Sequence, residues 1–138
     1  MRILIDTNIL IDFFSKRPQF YDNAYIIMKL CASKRIDGCI AAHSVMNSFY
    51  ILRKEFSPEE RRSTLIDLCK IMYVVGIDKA KIISALENDH FSDVEDCLQT
   101  ECAKDFSADY IVTRNIKDFE QSVIPAITPD QFLKMINA

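Results

Sequence analysis

Acidic and amide side chains occur at four separated places in the sequence, each close to a short apolar run or to a helix start. Asp6 ends the apolar run 2–5, and Asn47 lies one turn into the helix predicted after the second strand. The other two places hold Asp93 with Asp96, and Asn115 with Asp118. Oxygen donors without histidine or cysteine suit Mg²⁺ or Mn²⁺ rather than zinc. Two carboxylates about 5 Å apart repel by roughly 3 kcal/mol at an effective dielectric near 20, so a cluster of them predicts a bound divalent cation.

Short strands alternate with helices along the chain, and this order predicts how the polar residues meet. Strands are predicted over 2–5, 39–42, 71–75, 110–112 and 124–127, the last at an edge of the sheet. Helices of about ten to fifteen residues separate them, which favours an α/β fold with a central parallel sheet of four to five strands and helices on both faces. Ligands of such sheets bind outside the carboxyl ends of the strands, where these side chains are expected to converge.

Three capping boxes mark predicted helix starts. In each, a Ser or Thr is followed three residues later by Glu or Gln, so that side chain and backbone bond reciprocally. The pairs are Ser57 with Glu60, Ser92 with Glu95, and Thr128 with Gln131. The second box places Asp93 and Asp96 in the first turn of a helix that runs to about residue 106.

Length and composition restrict the class of protein. The 138 residues predict a single domain spanning 1–138, and only two Gly and four Pro argue against disordered or collagen-like sequence. The 17 basic residues against 20 acidic ones give a net charge of −3, unlike a protein that grips nucleic acid through a basic face. A bound metal ion would supply the positive charge that a phosphate needs.

Five cysteines without zinc spacing predict reduced thiols in a cytoplasmic protein. No signal peptide and no apolar run near about 18 residues are seen, so no membrane association is expected. His43 and His90 have no evident partners in the sequence and are assigned no role.

Four stretches, in order, carry a family resemblance. They are Ile5-Asp6-Thr7-Asn8-Ile9-Leu10, residues 43–54, Asp93-Val94-Glu95-Asp96 with Gln99, and residues 108–119; the closing residues 124–129 also fit. Together they resemble a PIN domain, most of all the bacterial VapC-type toxin ribonucleases, over essentially the whole chain. The resemblance implies a three-layer α/β/α PIN-like fold and a PIN-like nuclease domain.

The resemblance also implies an activity and partners. The activity is Mg²⁺- or Mn²⁺-dependent endoribonuclease cleavage of phosphodiester bonds in single-stranded RNA such as tRNA or mRNA. The role is that of the toxin in a type II toxin–antitoxin system. The implied partners are a cognate antitoxin protein and a second copy of the chain in a homodimer. The implied catalytic residues are Asp6, Asn47, Asp96, Asn115 and Asp118, of which Asp6, Asp96 and Asp118 would hold the metal. Supporting or substrate-contacting residues are Thr7, Asn8, Ser44, Asp93, Thr113 and Arg114.

Two departures from the family pattern keep an alternative open. Asn47 stands where many PIN nucleases have Glu, and Asn115 stands at the fourth acidic position. A neutral Asn cannot act as a general base, so either Asp93 and Asp118 compensate or the chain is a catalytically weak or silent PIN-like module that binds RNA or protein. A phosphotransfer enzyme with Asp6 as nucleophile is disfavoured, because haloacid-dehalogenase-like enzymes have a second Asp where Asn8 stands here.

Overall fold

A central parallel sheet forms the middle layer of the computed structural model, which describes residues 1–137. Within that range its five strands are β1 (Arg2–Ile5), β2 (Asp37–Ala41), β3 (Tyr73–Val75), β4 (Tyr110–Val112) and β5 (Ala126–Ile127). Their order is β3-β2-β1-β4-β5, with every neighbouring pair parallel. The first strand is therefore central. The last strand lies at an edge, as the sequence predicted for it.

Seven α-helices connect and cover these strands in the described range. They are α1 (Thr7–Phe14), α2 (Tyr21–Ala32), α3 (Ala42–Ile51), α4 (Pro58–Ile71), α5 (Lys79–Glu87), α6 (Val94–Asp105) and α7 (Pro129–Met135). Short 3-10 helices occupy Leu52–Lys54 and Ile116–Phe119. No helix in residues 1–137 is both long enough and apolar enough to span a membrane.

The capping predictions are confirmed at two helices and wrong at one. Capping boxes begin α4 at Ser57 and α7 at Thr128. Helix α6 begins one residue later than the predicted box requires, and its cap is Asp93, whose Oδ1 accepts a hydrogen bond from the Glu95 N–H at 2.8 Å. The hydrogen bond from the second helical residue, Glu95, to the Asp93 carboxylate therefore caps α6 in place of the capping box predicted for Ser92 and Glu95.

Gly38 lies inside β2, which begins two residues earlier than the predicted strand over 39–42. It pairs with Ile3 of β1, and a Cβ at this position would lie 2.6 Å from Cys31 Sγ and 2.7 Å from Met72 Cε. A glycine is required here because α2 and the end of α4 pack against the strand, not because the backbone turns.

Alternating side chains of the sheet face two separate apolar layers. Ile3 and Ile5 pack with residues from α1, α2, α4 and α7, whereas Leu4 and Ile111 pack with Cys102 and its neighbours on α6. Burying each large apolar side chain contributes roughly 1.5–3 kcal/mol, so both faces of the sheet are firmly covered. The predicted three-layer α/β/α architecture is confirmed.

The carboxyl ends of β1 and β4 are held in register. Ile5 pairs with Val112, and the Asp6 N–H continues the ladder by donating to the Val112 carbonyl oxygen at 3.0 Å. The residues that follow the two strands, Asp6 and Thr113, are therefore neighbours although they are far apart in the sequence.

Candidate active site

A cavity of about 460 Å³ lies at the carboxyl ends of the central strands. Four segments line it: the β1–α1 junction with the turn after α1, helix α3, the first turns of α6, and the stretch after β4. The lining residues are Asp6, Thr7, Asn8, Ile11, Arg17, His43, Asn47, Tyr50, Ile51, Asp93, Glu95, Asp96, Gln99, Asn115 and Asp118. All five predicted catalytic residues border this one cavity, as do Thr7, Asn8 and Asp93.

Asp6 is the most firmly positioned carboxylate of the cavity. It is only 6% exposed and accepts hydrogen bonds from Gln99 Nε2 to Oδ1 at 2.8 Å, and to Oδ2 from Thr113 Oγ1 at 2.7 Å and Asn8 Nδ2 at 3.0 Å. Three donors occupy three of the roughly four lone-pair sites of a carboxylate. The orientation of Asp6 is thus fixed while acceptor capacity remains for a ligand.

Buried hydroxyl groups join the helices behind Asp6. Thr7 Oγ1 donates to Ser44 Oγ at 2.8 Å, and Ser44 Oγ lies 3.5 Å from Gln99 Oε1. Ser44 and Thr113 are buried outside the cavity lining. Both predicted supporting residues therefore contact residues that line the cavity rather than the cavity itself.

Glu95 adds a carboxylate that sequence reasoning did not assign to the site. Its Oε2 accepts a hydrogen bond from Asn47 Nδ2 at 3.2 Å, which brings a negative charge beside the position where the amide replaces an acidic residue. The available signal was the acidic run at the start of α6, in which only Asp93 and Asp96 were assigned a role.

Asp96 has a strongly perturbed acidity. Its pKa is raised from 3.8 to about 7, first by burial and then by repulsion from neighbouring negative charges. Those neighbours are Asp93, Asp6, Asp118 and Glu95. The carboxylates therefore interact electrostatically across the cavity, even though they come from separate segments of the chain.

His43, which the sequence left without a role, also lines the cavity. Burial lowers the pKa of its imidazole, and the neighbouring Glu95 and Asp6 charges offset only part of that effect. Its Nδ1 atom is buried without a hydrogen-bond partner in the protein. At neutral pH the imidazole of His43 is therefore uncharged, and it lies beside the carboxylates of the cavity.

Arg114 lies outside the cavity lining and is committed to a buried partner. Its Nε donates to Asp12 Oδ2 at 2.7 Å and its Nη2 donates to Asp12 Oδ1 at 3.2 Å. Asp12 is fully buried on α1, and sequence reasoning did not identify it. The pair engages two of the guanidinium nitrogens of Arg114 and joins α1 to the end of β4, so the predicted substrate contact of Arg114 stays a prediction.

Comparison with known proteins decides the family. A family model described as PIN domain matches residues 2–117. This chain belongs to the PIN domain family. A search among curated proteins found no significant match. The predicted family resemblance is confirmed by the extent of the match, which includes all the predicted catalytic residues except Asp118.

Solved structures share the PIN fold. A chain of VapBC2 from Rickettsia felis, described as bound to a DNA fragment from their promoter, has a TM-score of 0.68 at 21% identity and covers 93% of this chain and 98% of its own. A toxin–antitoxin complex from Klebsiella pneumoniae gives 0.68 at 24% identity, with 92% and 97% covered. FitAcB from Neisseria gonorrhoeae gives 0.64 at 17% identity, with 92% and 97% covered. At these identities the likeness establishes the fold.

The donor chemistry of this PIN domain fits a hard divalent cation. Carboxylate and amide oxygens dominate the cavity lining, as Mg²⁺ and Mn²⁺ prefer. Within residues 1–137, no three Asp, Glu, His or Cys side chains meet closely enough to form a ready-made metal site.

Proposed function

We propose that this PIN domain is a metal-dependent endoribonuclease that hydrolyses phosphodiester bonds in single-stranded RNA with Mg²⁺ or Mn²⁺. The observation that carries the proposal is the convergence of five carboxylates from three segments on one cavity at the carboxyl ends of the parallel sheet. Such a concentration of negative charge is unfavourable in a phosphate-binding protein unless a cation is part of the site.

Some residues of the cavity would bind the cation, and others orient the residues that bind it. Asp6, Asp96 and Asp118 would hold the cation, which when bound lowers the pKa of a coordinated water and offsets charge on the phosphate oxygens. The hydrogen bonds from Gln99 and Thr113 fix the Asp6 carboxylate before any ligand arrives, so little side-chain entropy is lost on binding.

Glu95 supplies a carboxylate beside Asn47, the position at which many PIN nucleases have Glu. Asn47 cannot accept a proton from water at neutral pH, but the Glu95 carboxylate bonded to its amide can serve as an acceptor within the same cavity. This placement favours an active site over the silent module. The alternative, a weak or silent PIN-like module that binds RNA or protein, rests on the neutral side chains of Asn47 and Asn115.

We further propose that the chain is the toxin of a type II toxin–antitoxin pair. The support is the shared fold with chains of complexes described as toxin–antitoxin or named VapBC2 and FitAcB. The proposal includes a cognate antitoxin protein, a homodimer, a cytoplasmic location and a single domain over residues 1–138.

Cleavage of a labelled single-stranded RNA oligonucleotide by the purified chain tests the nuclease proposal. We expect cleavage with Mg²⁺ or Mn²⁺ and none with EDTA. Asp6→Asn and Asp96→Asn should each lower the rate about 100-fold or more, because even outer partners of metal ligands contribute about 10–100-fold. Asp130→Asn, at an exposed carboxylate on α7 outside the cavity, should cut at the wild-type rate.

The outcomes separate the two functions. RNA binding without cleavage in either metal would contradict the nuclease and support the silent module. Wild-type rates in both Asp6→Asn and Asp96→Asn, with circular dichroism showing folded protein, would place the chemistry elsewhere.

A further inference from the structure

Arg17 is anchored at the wall of the cavity by its backbone. Its N–H donates to the Asp12 carbonyl oxygen at 3.1 Å, and its own carbonyl oxygen accepts from Phe20 and Tyr21 at 3.0 and 2.8 Å. The preceding Lys16 has a φ of 50°, in the left-handed region, which turns the chain at the end of α1. The side chain lines the cavity and is 43% exposed, so it is accessible to a ligand.

Arg17 differs in charge from everything around it. Among the described residues that line the cavity it is the one cationic side chain, facing five carboxylates and an imidazole whose pKa is lowered. A polyanion that enters the cavity therefore meets one positively charged lining side chain, that of Arg17. A guanidinium also matches the geometry of a phosphate, because its planar donors bind two oxygens at once.

The ion pair with Asp12 does not require Arg17. Arg17 Nη1 lies 3.4 Å from Asp12 Oδ1, close to the limit of a hydrogen bond, whereas Arg114 holds both Asp12 oxygens at 2.7 and 3.2 Å. Arg114 also packs over the Phe20 ring at 4.1 Å. If Arg17 turned towards a ligand, Asp12 would stay paired.

From this arrangement we propose that Arg17 is a substrate-binding residue, which contacts a phosphate of single-stranded RNA next to the one that is cleaved. The inference rests on the proposed nuclease function and adds a protein contact for the substrate backbone. In contrast to the carboxylates, Arg17 binds the substrate equally before and during the reaction. It therefore affects the affinity for the substrate and not the rate of the chemical step.

Arg17→Gln tests the assignment with a fluorescein-labelled single-stranded oligouridylate. Binding is measured by anisotropy across a salt series with Ca²⁺ in place of Mg²⁺, and KM and kcat are measured with Mg²⁺. We expect Kd and KM to rise about tenfold and kcat to stay within about threefold, as for loss of one charge-assisted hydrogen bond. The slope of log Kd against log salt concentration should fall by about 0.7, the value for one phosphate contact on a single strand.

Two variants control this experiment. Arg35→Gln removes the same charge from an exposed position in the loop before β2, at the amino end of the sheet, and should leave Kd and the salt slope unchanged. Arg17→Lys keeps the charge without the planar donors, so it should restore the salt slope and only part of the affinity. Arg17→Lys also decides the matter if Arg17→Gln does not fold.

The failures are distinguishable. A lower melting temperature in Arg17→Gln with wild-type KM and salt slope would show a purely structural role and overturn the inference alone. Wild-type protein and Arg35→Gln that neither bind nor cut RNA would contradict the proposed function, and the inference with it.

Discussion

Asp96 opposes folding of the metal-free protein whenever its carboxyl group is ionised. Burial of the half-buried side chain, and then repulsion from four other carboxylates, raises its pKa to about 7. Because the unfolded chain has the ordinary value of 3.8, the folded protein binds more protons between these two pH values. Stability contributed by the protonated group is therefore present at low pH and is lost as pH rises towards 7.

Asp96→Asn should remove this pH dependence. In EDTA at pH 8 the variant should be more stable than wild type by about 1 kcal/mol, a figure reduced from the full shift because solvent reaches the site. At pH 4 the two should be equal within error. Urea unfolding at both values measures the difference, with Asp130→Asn as a control expected to show no pH-dependent gain. Equal destabilisation of Asp96→Asn at both pH values would contradict the argument.

At the scale of elements, one buried ion pair joins α1 to the stretch that follows β4. Asp12 lies on α1, six residues beyond Asp6, and its partner Arg114 precedes Asn115 and Asp118. The pair therefore sets the position of the last cavity segment relative to the first. Removing one partner of a buried pair typically costs about 3–5 kcal/mol, because the other charge is left without compensation.

A double-mutant cycle of Asp12→Ala and Arg114→Ala should reveal this coupling. We expect Asp12→Ala alone to lower the free energy of unfolding by about 3 kcal/mol, with a coupling energy above about 1 kcal/mol. The matched control is the exposed pair of Asp130 and Lys134 on α7, whose side chains are 61% and 77% exposed. Its coupling should stay below about 0.5 kcal/mol, because solvent screens it. Similar coupling in both pairs would refute the role of burial.

At the scale of the whole molecule, the candidate site ties four distant parts of one chain to a common point. A cation bound by Asp6, Asp96 and Asp118 would bridge β1, α6 and the 3-10 helix after β4. It would bind the folded protein and not the unfolded chain, and would stabilise the fold by mass action.

Added Mg²⁺ or Mn²⁺ should therefore raise the melting temperature. Above the Kd, each tenfold increase in metal adds about 1.4 kcal/mol, and EDTA should reverse the effect. Asp6→Asn should lose the shift and Asp130→Asn should keep it. Thermal unfolding followed by circular dichroism is the measurement, and equal shifts in all three proteins would indicate metal binding away from the cavity.

Local patterns were sufficient for the fold and for much of the candidate site. The apolar run before Asp6 and the acidic first turn holding Asp96 show where each side chain lies along its own element, and the order of elements brings them together. The Asp12–Arg114 pair could not be predicted in this way, since 102 residues separate the partners. The one local signal was a charged residue inside an apolar helix, which needs a buried partner.

The central place of β1 also sets the order of events during translation. Asp6 is synthesised 107 residues before its neighbour Thr113, and Asp118 follows later still. Until then one wall of the cavity does not exist, and β1 lacks its β4 neighbour. Under the ribonuclease function proposed above, a nascent chain therefore cannot cleave RNA until β4 and the segment that follows it have emerged from the ribosome.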